Sequence, residues 1–63
     1  MSENKVKWHP YPQERPIKDD GYLITVKYRR TRKVMKWDSF NGYFHIYVDV
    51  IAWAELPEPY KEE

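Results

Sequence analysis

Apolar and polar positions alternate most regularly over residues 22–30, where Tyr22, Ile24, Val26 and Tyr28 share one face and Leu23, Thr25, Lys27 and Arg29 the other. A period of two carried by β-branched and aromatic side chains predicts a strand. Residues 33–38 read as its return, with Met35 and Trp37 inward and Lys36 outward. Between them Arg30-Thr31-Arg32 forms the hairpin tip, and because it lacks the Gly or Asn of the best two-residue turns it predicts a longer, looser loop. Ser39-Phe40-Asn41-Gly42 supplies the next turn, its Asn-Gly pair being a strong hairpin signal. Residues 43–47 then predict a third strand, with Phe44 and Ile46 on one face and Tyr43, His45 and Tyr47 on the other. A bend or bulge at Val48-Asp49 leads into a last strand over residues 50–55.

The ends of this pattern are set by proline and glycine. Pro10, Pro12 and Pro16 forbid a helix from Trp8 onward and favour an extended arm lying across a surface, anchored by Trp8. Asp19-Asp20-Gly21 is a turn that launches the first long strand. Pro57 and Pro59 stop the last one, since proline cannot donate to a ladder, and Trp53 and Leu56 become the closing course of the core. The expected fold is mainly β: a small single-domain antiparallel meander of about four strands with a proline-rich N-terminal arm. At most one short helical turn fits, around residues 12–18. Residues 8–57 form the expected folded core, between flexible ends at 1–7 and 58–63.

Composition decides how such a chain holds together. At 63 residues it lies where only about 60% of the unfolded surface is buried and stability is thin. There is no cysteine, which removes disulfides, thiolate zinc sites and cysteine nucleophiles as means of support or chemistry. Three Trp, six Tyr and two Phe make 17% of the chain aromatic, so the core is expected to be built from rings that each bury about 150–250 Å². The formal net charge is +1, too small for general attraction to nucleic acid or membrane. No apolar run approaches the roughly 20 residues of a membrane helix, and the first seven residues hold no signal-like apolar core. A soluble, cytoplasmic protein is expected, with no membrane partner.

Charge is nevertheless local. Lys27, Arg29, Arg30, Arg32, Lys33 and Lys36 are six of the eleven basic residues and are interleaved with Tyr28 and Trp37. Such a hairpin can grip phosphates while its rings stack on bases. It can equally be a solvated loop whose cations discourage edge-to-edge strand pairing. The outward row Tyr43, His45 and Tyr47 offers contact area at low entropic cost and suits recognition of a protein, or else is covered by the arm or by a second copy of the chain. Asp19-Asp20 and Glu62-Glu63 are acidic spots that a head-to-tail neighbour's basic hairpin would meet. His9 and His45 with Asp38 and Asp49 have no metal-ligand spacing, and a small meander encloses little volume from which to exclude water. Neither a metal, a cofactor nor a catalytic group is expected.

The chain also resembles a family of short phage and prophage proteins known as a domain of unknown function, number five-fifty-one. The resemblance lies in Trp8, in the approach from Pro16 to Gly21, in Tyr22-Leu23-Ile24-Thr25-Val26, in Trp37-Asp38, in Asn41-Gly42-Tyr43-Phe44 and in Leu56-Pro57-Glu58-Pro59. It spans nearly the whole chain and departs at residues 29–33, where a shorter and less basic turn is usual. It implies an accessory protein of a mobile element, working inside a bacterial cell, and carries no catalytic residue. The function expected is therefore non-enzymatic binding that inhibits or modulates a host protein, including one of host defence. The contact residues are Tyr28, Arg29, Arg30, Arg32, Lys33, Lys36, Tyr43, His45 and Tyr47. Two alternatives stand beside it: a binder of a nucleotide-like anion or nucleic acid through the basic hairpin, and a structural or assembly component, with a homodimer compatible with each.

Overall fold

The alternation over residues 22–28 becomes β2 (Gly21–Tyr28), and its return becomes β3 (Thr31–Asp38). The computed structural model describes residues 6–58; what was expected of 1–5, Pro59, Glu62 and Glu63 lies outside the described residues. Two further strands, β1 (His9–Pro10) and β4 (Asp49–Glu55), complete one antiparallel sheet in the order β1-β4-β2-β3. The mainly β, small, four-stranded antiparallel fold is thus as the sequence predicts. No helix among the described residues is long and apolar enough to cross a membrane.

The hairpin is tighter than expected. Tyr28 pairs with Thr31, so Arg29 and Arg30 alone make the turn, and Arg29 adopts a φ of 58° that Gly or Asn would normally supply. A two-residue turn needs a positive φ to match the twist of its strands, and here the eight-pair register imposes it on an arginine. The Asn-Gly signal is read correctly. Asn41 and Gly42 have φ of 56° and 82°, and Phe40 and Tyr43 exchange two backbone hydrogen bonds at 2.8 and 3.1 Å across them.

That minimal ladder goes no further, and residues 43–47 are not a strand. Phe44 is buried and Ile46 and Val48 half-buried, while Tyr43, His45 and Tyr47 point away, so the predicted inward and outward sets are kept. What changes is their use: the segment is a strap laid across one face of the sheet. A sheet this small must bury a face, and this is the apolar segment left to cover it, so burial outweighs the ladder bonds of an extra strand. The fourth strand comes from the arm instead, where His9 pairs with Trp53 and Pro10 with Ala52. Prolines at 10 and 12 lack the N–H to lengthen it.

The covered face holds Tyr22, Ile24 and Val26 of β2 and Trp53 of β4 under Phe44, with Tyr11, Met35, Ile46, Val48 and Val50 around them. Ring contacts dominate, as composition requires: Tyr22 meets Trp53 edge-on at 5.0 Å and Phe44 at 6.2 Å, and Tyr11 meets Phe44 at 5.2 Å. Trp53 is also the tie for the arm. Its indole N–H donates to the Glu14 carbonyl at 2.8 Å and His9 stacks on it at 4.4 Å. The arm is therefore held by His9 and Tyr11, whose hydroxyl accepts from the Phe44 N–H at 3.2 Å, and not by the expected Trp8, which stays 37% exposed. A single turn, closed by the Glu14 N–H on the Pro10 carbonyl at 2.9 Å, is the one helix-like feature among the described residues. Leu56, at 38% exposed, does not close the core: β4 ends at Glu55, and the Leu56 side chain lies beside Gly21 at the start of β2.

Where the arm enters β2, buried Ser39 accepts from the Asp20 N–H and donates to the Lys18 carbonyl, each at 3.2 Å, while its own N–H reaches the Asp20 carbonyl at 2.8 Å. Tyr22 donates its hydroxyl to the same Lys18 carbonyl at 2.9 Å. Burial first, and then the carboxylates of Asp20, Glu55 and Asp19, push the Tyr22 phenol above its ordinary value. The chain bends at Tyr47–Val48 ahead of β4, close to where the sequence expects it, and a bulge follows within the strand: Thr25 pairs with Ala52 but Val26 with Val50, leaving Ile51 as the extra residue.

Candidate functional site: a groove between hairpin tip and strap

Strand alternation divides the basic hairpin between two faces. Val26, Tyr28, Thr31, Lys33 and Met35 occur in pairs that share the strap side, whereas Lys27 and Arg32 pair with each other, and Lys36 with Leu23, on the uncovered face. Arg29 and Arg30 occupy the tip, where the Arg29 guanidinium lies 5.3 Å from the Tyr28 ring centre. The strap returns along the covered face toward this tip. Between them opens a groove of about 370 Å³, lined by Val26, Tyr28, Thr31, Lys33, Met35 and the strap residues 46–48.

The groove joins the two surfaces that the sequence marks separately. Tyr28 and Lys33 come from the hairpin and Tyr47 from the tyrosine row, with the first ring 56% and the last 95% exposed. Its floor of Val26, Met35, Ile46 and Val48 is apolar; the sequence marks the first three for an inward face and Val48 only for a bend or bulge. Their apolar side chains are a signal in the sequence, but that they form one floor depends on which segments face each other, which no local spacing states. An apolar slot with tyrosines at its rim and a lysine in its wall suits an apolar anchor that carries negative charge beside it.

The other expected contact residues lie elsewhere. Tyr43 and His45 sit at the opposite end of the strap with Phe40, whose ring centre is 6.0 Å from that of His45 and whose carbonyl lies 3.3 Å from His45 Nε2. Arg15, unmarked in the sequence reading, covers the Tyr43 ring at 4.4 Å. Arg32 and Lys36 are on the uncovered face beside half-buried Leu23 and Thr25 and exposed Val34. His9 is occupied by Trp53 and by Glu14, whose Oε1 is 3.0 Å from its Nδ1, and among the described residues no three His, Asp or Glu side chains group as metal ligands. Compared with protein-family models, with curated proteins and with solved structures, the chain matches none of them.

Proposed function

We propose that this chain is a non-enzymatic binding module whose partner is a protein, and that it takes an acidic, apolar-anchored segment of that partner into the groove between hairpin tip and strap. The observation that carries this reading is the meeting of Tyr28, Lys33 and Tyr47 over an apolar floor. Tyrosine and a cation around a dry centre are the composition of binding hot spots. The resemblance to short phage and prophage proteins carried by Trp8, Trp37-Asp38 and Leu56-Pro57-Glu58-Pro59 is what suggests the biological setting, an accessory protein in a bacterial cytoplasm that modulates a host protein.

A photo-crosslinking residue in place of Tyr47, with the same residue in place of Ile17 as the control, tests this in a bacterial lysate. A discrete adduct at position 47, absent at 17 and lost when Lys33→Glu is added, is expected. Equal labelling at both positions, or an adduct indifferent to Lys33→Glu, would sink the reading. The second reading, a nucleotide-like anion, is favoured by the Arg29 guanidinium over Tyr28 at the groove's rim. Calorimetry with nucleotides at low ionic strength decides it, because phosphate contacts are strongest there.

A further inference from the structure

We infer that β3 is a docking edge: an acidic, extended segment of the partner adds to it as a fifth antiparallel strand, setting alternate side chains into the groove. The inference rests on the protein-binding reading of that groove and specifies how the segment is held.

β3 is last in the strand order and eight residues long, so one whole side of its backbone is unpaired among the described residues. Which groups are free follows from the turn. In a two-residue hairpin the pair flanking the turn is hydrogen-bonded, so Thr31, Lys33, Met35 and Trp37 spend their N–H and C=O groups on β2. The bond from the Ser39 N–H to the Asp20 carbonyl at 2.8 Å continues the same phase beyond the strand. Arg32, Val34, Lys36 and Asp38 therefore aim four N–H and four C=O groups outward, a template for strand addition.

Charge selects the occupant. Arg29, Arg30, Arg32, Lys33 and Lys36 stand along this edge and its tip against the single carboxylate of Asp38. A second copy pairing edge to edge about Val34 sets Arg32 opposite Lys36 of its neighbour. Pairing about Met35 relieves that by placing Arg32 opposite Asp38, yet still gathers both sets of cations along one seam. An acidic strand neutralises them instead. Side-chain alternation then fixes its reading frame: residues opposite Arg32, Val34 and Lys36 lie on the uncovered face, and those opposite Lys33 and Met35 lie on the groove side, since both line the groove.

The probe is a capped peptide, acetyl-Thr-Ile-Glu-Ile-Val-Glu-Glu-Thr-amide, which in antiparallel register sets Glu opposite Lys36, Lys33 and Arg32 and Ile opposite Met35. Its control is the same peptide N-methylated at its first Glu and its Val, which keeps every side chain but removes two ladder donors. We expect the parent peptide to bind at low salt and to slow exchange of the Arg32, Val34 and Lys36 amides at least tenfold. N-methylation, or Val34→Pro in the protein, is expected to weaken binding at least tenfold. Val34 directs its N–H away from β2, so proline there spares the existing ladder, and the N-methylated peptide gives the same answer on the unaltered protein. Equal affinity of the two peptides overturns strand addition while leaving the groove as a side-chain site. Absence of binding at millimolar peptide, or unchanged exchange at those three amides, overturns the inference, as does a free chain that sediments as a β3-paired dimer at micromolar concentration.

Discussion

Trp53 does two jobs that a smaller ring cannot combine: it fills the core beside Tyr22, and its indole N–H holds the arm at the Glu14 carbonyl. Trp53→Ala is expected to cost roughly 3–5 kcal/mol, enough to unfold a domain this small. Trp53→Phe keeps much of the ring and loses the bond, at about 1–2 kcal/mol, and urea titration followed by far-ultraviolet circular dichroism separates the two; equal losses would deny the hydrogen bond its role. Tyr22 contributes to the loss of stability on the alkaline side. Its phenol is raised in the folded chain, so its neutral form is favoured there and its contribution is whole below its unfolded value near 10. That contribution disappears as the pH climbs through the folded value. Unfolding free energies measured between pH 8 and 11.5 are expected to fall more steeply for the native protein than for Tyr22→Phe, and parallel slopes would refute the assignment. Tyr22 was legible as inward from the two-residue period, and Trp53 from its place in the apolar run that Pro57 and Pro59 close. Ser39 was not, because a lone serine after a strand carries no sign that it will be buried against Lys18 and Asp20, residues brought to it by the hairpin.

Extended segments that cross an apolar surface share the period of a strand, which is why the alternation over residues 43–47 gave the right faces and the wrong element. The two differ in whom the backbone pairs with, and that is decided by the need to cover Tyr22, Ile24 and Val26. β1 was invisible for the opposite reason: two residues beside prolines contain no pattern, and their pairing with Ala52 and Trp53 is a long-range event. The groove inherits this limit, since half its wall comes from a strap whose path is nonlocal. At the hairpin, Arg29 holds a left-handed backbone that costs a side-chain-bearing residue about 1–2 kcal/mol. Arg29→Gly removes this penalty and loses part of the gain to the greater freedom of glycine when unfolded. A net stabilisation of about 0.5 kcal/mol is expected, a rise in Tm of about 2–4 °C for a chain of this size. An unchanged or lowered Tm would place the turn's strain elsewhere.

At the scale of the whole molecule the sheet is uneven. β2 and β4 are each paired on both sides, β3 on one, and β1 contributes only two residues. Native-state hydrogen exchange is expected to find the slowest amides in β2 and β4, at the global unfolding free energy, with Tyr11 and its bond to the Ile51 carbonyl opening earlier. Uniform protection would mean that the arm and the sheet form one cooperative unit. The proposed binding surfaces lie on the parts expected to be less protected, the β3 edge and the strap, where a partner that binds the folded state alone would add stability. Strand order also has a meaning in time. β4, which lies between β1 and β2, leaves the ribosome after every strand it must join. Until residues 49–55 emerge, the β2–β3 hairpin has no sheet to extend and the arm has nothing to lie against. The strap alone cannot complete the core, which lacks Trp53 until then, and the sheet closes by inserting β4 between β1 and β2.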